Sequence, residues 1–367
     1  MKTQSPSFGY SFPTIRGIQA GREYYVSMCP LKLLPKIFAF DKVDLTPEMR
    51  AQRILNKGRI PALAKYITQN KKDYVFSAIT ASINSKVKFV PLGEEDGLHK
   101  MGTLSVPLDA KFIINDGQHR RAAIEMALLE NPELGNETIA VVFFLDVGLK
   151  RCQQMFADLN RFSIRPSKSI GVLYDQRDEK AALAKLIALK SETFKSLVEL
   201  EKSTLSPRSS KLFTLSAIYH ATEALIFNLK IKDPNELAEL ATDYWEEIAK
   251  GFPEWTTVRE KKMSAGEVRK DFIHSHGIVL QALGRVGNEL IRNFRKDWKS
   301  KIKDIATIDW KRSNTKLWEG RAMIGGRVSK SEQNVTLTTA AIKRHLKLNL
   351  SAEEKHMETL VKRGANV

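Results

Sequence analysis

The chain has little cysteine: two residues in 367, Cys29 and Cys152, far apart and in no metal-ligand spacing. This excludes a disulfide framework and a cysteine-based zinc module. It suits a reducing compartment, so a cytoplasmic protein is expected. No apolar run approaches the ~20 residues that a membrane helix needs, and the best, over 139–145, has the length of a buried strand. A membrane is therefore not an expected partner. The opening Met1-Lys2-Thr3-Gln4-Ser5-Pro6 lacks the apolar stretch of a secretory signal. Internal repeats and low-complexity tracts are missing too. So is a Gly-x-x-x-x-Gly-Lys-[Ser/Thr] loop, which deprives any nucleotide-hydrolysing reading of its commonest signature.

Acidic side chains are in deficit: 42 Asp and Glu stand against 59 Lys and Arg, a formal net charge of +17. The excess is uneven. Residues 1–175 carry 24 Lys and Arg against 17 Asp and Glu, residues 176–258 carry 11 against 13, and residues 259–347 carry 21 against 9. Over two thirds of the surplus lies in that last stretch. Such a block predicts attraction to a polyanion by counterion release, with double-stranded DNA the natural partner. A solvated helical surface is the plainer alternative.

An apolar share of 43 % is that of a globular protein with a sizeable core. The first twenty residues look like an irregular arm. Strands are expected over 23–28, 75–83, 87–90, 101–106, 112–114 and 139–147. Short helices are expected over 31–38 and from Pro47 to about Asn56, another begins at Pro61, and one runs over 150–159. From Arg177 the pattern changes to long 3.6-residue periods over 178–201, 212–229, 234–249, 275–303 and 338–348. The expected fold class is α/β in the α+β sense. A mixed-sheet domain over 1–175 is followed by a mainly helical, basic region over 176–367.

The most informative stretch is 111–127, where a short apolar strand runs into Asp116-Gly117-Gln118-His119-Arg120 and a helix starts at once. Gly117 can take backbone angles that other residues resist. The helix start leaves amides unpaired and the positive dipole end exposed. Arg120 and Arg121 add two guanidiniums in the first turn, so a phosphate is the natural ligand. In this reading the two arginines clamp an anion and Gly117 shapes the turn; the plainer alternative has Asp116 capping the helix and the arginines paired to surface carboxylates. Asp116 and Gln118 orient ligand or cap the helix, and His119 supplies a pH-sensitive contact.

Asp-Gly-Gln-His-Arg at 116–120 resembles the signature of the DGQHR-domain family. Nearly the whole chain resembles its DndB branch, which belongs to bacterial DNA phosphorothioate modification systems. The supporting segments are Gly58-Arg59-Ile60-Pro61-Ala62-Leu63-Ala64-Lys65-Tyr66-Ile67, Met155-Phe156-Ala157-Asp158-Leu159-Asn160 with Pro166-Ser167-Lys168-Ser169, and Trp318-Glu319-Gly320-Arg321 through Gly325-Gly326-Arg327-Val328. More distantly, the strand–turn–helix layout is similar to the nucleotide-binding turn of ParB-like and sulfiredoxin-like domains. The resemblance implies a DNA-binding accessory and transcriptional regulator of a modification system. Its other proteins become expected partners, and self-association into a homo-oligomer is a further option.

Other residues extend or compete with this picture. Asn160, Arg161, Arg165 and Lys168 sit in a Ser/Pro-rich stretch suited to phosphate contacts, and the resemblance makes them a second wall of the same site. An ordinary helix-terminating loop is the alternative. Cys29 is a candidate reactive thiol. His274 and His276 lack a third ligand nearby, so no metal site is expected. Gly325-Gly326-Arg327-Val328-Ser329-Lys330-Ser331 reads as a DNA-contacting loop ahead of a basic helix over 336–348 with Lys343, Arg344, His345 and Lys347; half of a helix-turn-helix is an alternative for which no second helix of proper spacing is clear. Two other function classes stay open: a nucleotide-dependent enzyme, an ATPase with a nucleoside triphosphate on the 116–121 corner, and a protein-interaction scaffold.

Overall fold

Residues Thr138–Leu145 bury every second side chain, placing Ile139, Val141 and Phe143 inside, as a strand with one covered face must. In the computed structural model, which describes residues 8–38, 57–95, 97–145, 149–161 and 166–364, this segment is strand β7. It lies in a seven-stranded sheet with β1 (Gly9–Gln19), β2 (Arg22–Pro30), β3 (Ile79–Asn84), β4 (Lys88–Pro91), β5 (Met101–Pro107) and β6 (Lys111–Asp116). Their spatial order is β4-β5-β1-β2-β7-β3-β6. Only β3 and β7 pair in parallel. Two helices, Ile60–Gln69 and Gln118–Glu130, pack on each other and join the sheet core through Ala64, Ile67, Ala123, Ile124 and Ala127. The fold is α+β, with a mixed sheet in the first half of the chain and mainly helices in the second.

The chain divides into two compact units, Met1–Ile164 and Arg165–Val367. In the first, the expected irregular arm is corrected. Gly9–Gln19 is an interior strand, with Phe12 and Thr14 buried. Pro13 cannot donate to a ladder, yet it sits within the strand. The β1–β2 ladder begins only at Thr14, and the Pro13 carbonyl accepts the Ser27 hydroxyl at 2.8 Å. The expected 75–83 strand begins at Ile79. The helix expected from Pro47 to Asn56 lies outside the described residues.

In the second unit the long periodic segments are shorter helices. That of 178–201 ends at Lys190, and Val198–Glu199 pairs in parallel with Phe213–Thr214. That of 275–303 is interrupted after Asn293 and resumes at Trp298. The segment over 234–249 is one helix, started by Pro234 with the Asp233 carboxylate accepting the Asn235 N–H. The central helix, Gly277–Asn293, packs between Leu215–Ile226 and Glu332–His345. A Cβ at Gly284 would lie 2.3 Å from the Ala221 carbonyl oxygen, so this close crossing requires a glycine. Trp245, Trp255 and Trp318 are fully buried around it.

Cys29 belongs to the core of the first unit. It is completely buried in β2 opposite Ile139, and burial pushes its thiol up to about 11. At neutral pH the sulfur is a protonated apolar filler, which argues against a reactive thiol. An aromatic disulfide reagent should therefore leave Cys29 unmodified in the native protein and modify it within minutes in denaturant. Fast native labelling of Cys29, mapped by mass spectrometry, would show the strand open to solvent.

Candidate functional site

The 116–121 corner is built at an edge of the sheet, where β6 pairs only with β3. Thr80 faces Asp116 while Ala81 faces Ile114, so Asn115 is an extra residue on β6. This bulge turns the strand end, as bulges do. Asn115 is buried, donating from Nδ2 to Ser82 Oγ at 2.7 Å and lying 3.1 Å from Met155 Sδ. It thereby ties β6 to the helix Leu149–Arg161. Gly117 follows with φ +103° and stands at the N-cap of Gln118–Glu130, with no side chain capping that helix. A Cβ there would meet Arg120 Nη2 and Ile79 Cγ1, each at 3.0 Å. Gln118 is buried and its Nε2 reaches back to the Ile114 carbonyl at 3.4 Å, so it faces the strand.

Neither guanidinium stands open. Arg120 donates from Nη2 to Asp116 Oδ2 at 2.6 Å and to the Ala78 carbonyl at 3.1 Å. Arg121, with a side chain only 6 % exposed, binds Glu125 at 2.5 Å and the Pro35 carbonyl at 3.4 Å. Charge-assisted hydrogen bonds are worth roughly 1.5–3 kcal/mol each, so an anion entering here has to displace Asp116 from Arg120. The two arginines first lock strand, turn and helix together. Their carboxylate partners stand four residues away in sequence, a spacing that was legible from the start.

His119 is half-buried in the same turn. Burial lowers its pKa, the Arg59 and Arg120 charges lower it further, and Asp116 opposes them. At neutral pH it is a neutral imidazole, able to donate and accept. Arg59, exposed just ahead of helix Ile60–Gln69, is the residue that motif reading missed at this corner. Only the packing of that helix on Gln118–Glu130 brings it near.

The remaining candidates do not all gather here. Arg161 is exposed at the end of helix Leu149–Arg161, and Asn160 precedes it in the same helix. Arg165 lies outside the described residues. Lys168 belongs to the second unit, in the first turn of Lys168–Tyr174, which the Ser167 hydroxyl caps. His274 is buried against Phe252 and Phe272 and accepts the Trp255 indole N–H at 3.0 Å on Nδ1. His276 contacts the Arg269 carbonyl at 2.9 Å. Both histidines thus have structural surroundings.

The basic block of 259–347 divides in two. The expected DNA-contacting helix is corrected: Glu332–His345 is a core element. Lys343 is buried between Glu289 and Glu354, Arg344 reaches Glu358, and His345 meets Thr307. Around Trp298–Ile302 the charges are instead outside. Arg292, Lys296, Lys301 and Lys303 are exposed and have no carboxylate partner among the described residues, while Arg295 and Lys299 pair with Glu236 and Asp243.

A bulged sheet edge leading through a left-handed glycine into a helix, followed in sequence by a helical unit with exposed cations over 292–303, defines a two-unit α+β protein. The chain belongs to the DndB family of DNA-sulfur-modification-associated proteins, whose family model matches residues 12–349. No curated protein and no solved structure matches it significantly. Membership places the protein in a DNA sulfur modification system. No helix among the described residues is long and apolar enough to cross a membrane.

Proposed function

We propose that this protein is a DNA-binding accessory of the modification system that also regulates transcription of the modification genes. The observation that carries the reading is the exposed set Arg292, Lys296, Lys301 and Lys303 on the outside of the second unit, with Lys301 lying over the Phe294 ring at 4.4 Å. Four exposed cations within twelve residues, with no carboxylate partner among the described residues, suit contacts to a phosphate backbone. Such contacts give affinity without sequence readout. Family membership supplies the second support, since the substrate of the system is DNA. The 116–121 corner serves here as the rigid edge of the first unit, with Arg59 and His119 as its outward polar groups.

The test is a duplex titration followed by fluorescence anisotropy from 50 to 200 mM salt. One duplex carries the promoter of the modification genes and the other a scrambled sequence of equal length. Four phosphate contacts give a slope of log K against log[salt] near −3.6, or roughly a hundredfold loss across that range. Changing all four residues to alanine should flatten the slope by about 3.6. The promoter duplex should bind at least ~10³-fold more tightly than the scrambled one. Absence of binding at 50 mM salt defeats the DNA reading, and equal affinity for both duplexes defeats the regulatory part.

A further inference from the structure

The second unit contains a cavity of about 1220 Å³, above the ~300–1,000 Å³ usual for small-ligand sites. Three long helices begin on its wall. Ser216 and Ala217 open Leu215–Ile226, Gly277 opens the central helix, and Ser331 with Glu332 opens Glu332–His345. They run parallel. Gly277 lies by Ala217 and Gly284 by Ala221, while Arg285 reaches Glu332 and Thr336 and Glu289 reaches Lys343. Parallel neighbours gain nothing from antiparallel dipole pairing, so three positive ends converge at one place.

The cavity wall is cationic as well. Among the described residues five lysines and arginines line it against two glutamates. Both glutamates are engaged, Glu267 in the capping box with Ser264 and Glu332 with Arg285. The guanidiniums of Arg269 and Arg312 rest on backbone carbonyls, which leave their charge uncancelled. Lys168 and Lys330 make no hydrogen bond or ion pair among the described residues. Each depresses the pKa of His220. Desolvation, then the charge of Lys168, depresses that of Lys330. Glu332 opposes these effects at Lys330, but burial and the Lys168 charge outweigh it, so the two ammoniums are held close at a cost.

An independent observation sits at the head of the central helix. Ser275 lines the cavity, is 4 % exposed, and its hydroxyl has no hydrogen-bond partner. No side chain caps this 17-residue helix. Lys330 Nζ would stand 3.9 Å from a Cβ on Gly277, so an ammonium, an orphaned hydroxyl and uncapped amides occupy one end of the cavity. Leaving a buried polar group unpaired is unfavourable, and a phosphate oxygen would satisfy it.

We infer that this cavity is a binding site for a small phosphorylated ligand of nucleotide size. Its terminal phosphate lies at the start of the central helix between Ser275, Lys330 and Lys168, and Phe213 and Leu212 offer an apolar wall for the remainder. The Ser275 hydroxyl is buried while Lys168 and Lys330 are exposed, so a free terminal phosphate can reach all three together. This site is separate from the exposed cations assigned to DNA, and either assignment can fail alone.

The experiment is isothermal titration of the full chain with pyrophosphate and with ATP, alongside thermal unfolding with and without each. Saturable one-to-one binding of at least one is expected. Lys330→Ala and Lys168→Ala should each weaken it at least tenfold, while the ligand-free proteins unfold at the same temperature as the parent or higher because the repulsion is relieved. Lys262→Ala, at an exposed lysine outside the cavity, should leave affinity unchanged. No saturable binding of either probe, or undiminished binding in both cavity variants, overturns the inference. Displacement of pyrophosphate by a short duplex in the parent, and equally in the four-cation alanine variant, overturns it too, because the cavity would then be a DNA contact.

Discussion

Replacing Lys343 with alanine is expected to cost the protein about 3–5 kcal/mol, the range for removing one partner of a buried ion cluster. The Lys343 side chain is 3 % exposed, with Nζ 2.6 Å from Glu289 Oε2 and 2.7 Å from Glu354 Oε2. Glu354 also accepts the Ser351 N–H at 2.7 Å. Loss of the ammonium leaves two carboxylates facing one site without a cation, so desolvation is no longer offset by attraction. Lys343→Met keeps most of the stem and should recover little, because the missing charge dominates. Adding Glu354→Gln to Lys343→Met should recover a measurable part, since one stranded anion is removed. Urea unfolding of the three variants checks this, and a cost under 1 kcal/mol for Lys343→Ala would mean that the cluster does not hold the central helix, Glu332–His345 and Ala352–Gly364 together.

Lys343 also marks where sequence reading stops. A Lys-Arg-His run on a helix reads as a basic face, and nothing local tells that Glu289, far upstream, and Glu354, past the next loop, will enclose the lysine. The α+β class was legible because period-two burial in β7 and the 3.6-residue period from Arg177 onward are local properties of the chain. The Asp116–Arg120 corner was legible as strand, glycine and helix. Its charge balance was misjudged, although Asp116 and Glu125 stood at pairing distance along the chain. β1 was expected as an irregular arm, and only the pairing with the neighbouring strands shows that the missing N–H of Pro13 is tolerated. The cavity of the second unit could not be read at all. Lys168, His220, Ser275 and Lys330 come from four separate segments and meet only after three helices pack in parallel.

The same logic predicts acid lability at the docking point of the last helix. Glu358 is 2 % exposed and binds Arg321 in two hydrogen bonds, at 3.1 and 3.0 Å, with Arg344 Nη1 at 2.6 Å. Burial alone raises its pKa, but the hydrogen bonds and charges of Arg321 and Arg344 outweigh burial and the net shift is downward. A carboxylate whose folded pKa lies below its unfolded value stabilises the fold fully above the unfolded value, ~4.3 for Glu. That contribution fades as pH falls through the lower, folded value. At pH 7, Glu358→Gln should therefore be destabilised by about 3 kcal/mol, because two guanidiniums lose their anion, and somewhat less if Arg344, 42 % exposed, turns to water. The gap between parent and variant should shrink as pH drops below ~4, where the parent too carries a neutral side chain. Chemical unfolding at pH 7, 5 and 3 measures the gap directly. A gap that stays constant across that range would show that the three side chains act through packing and not through charge, and the helix Ala352–Gly364 would then be held by its apolar contacts alone.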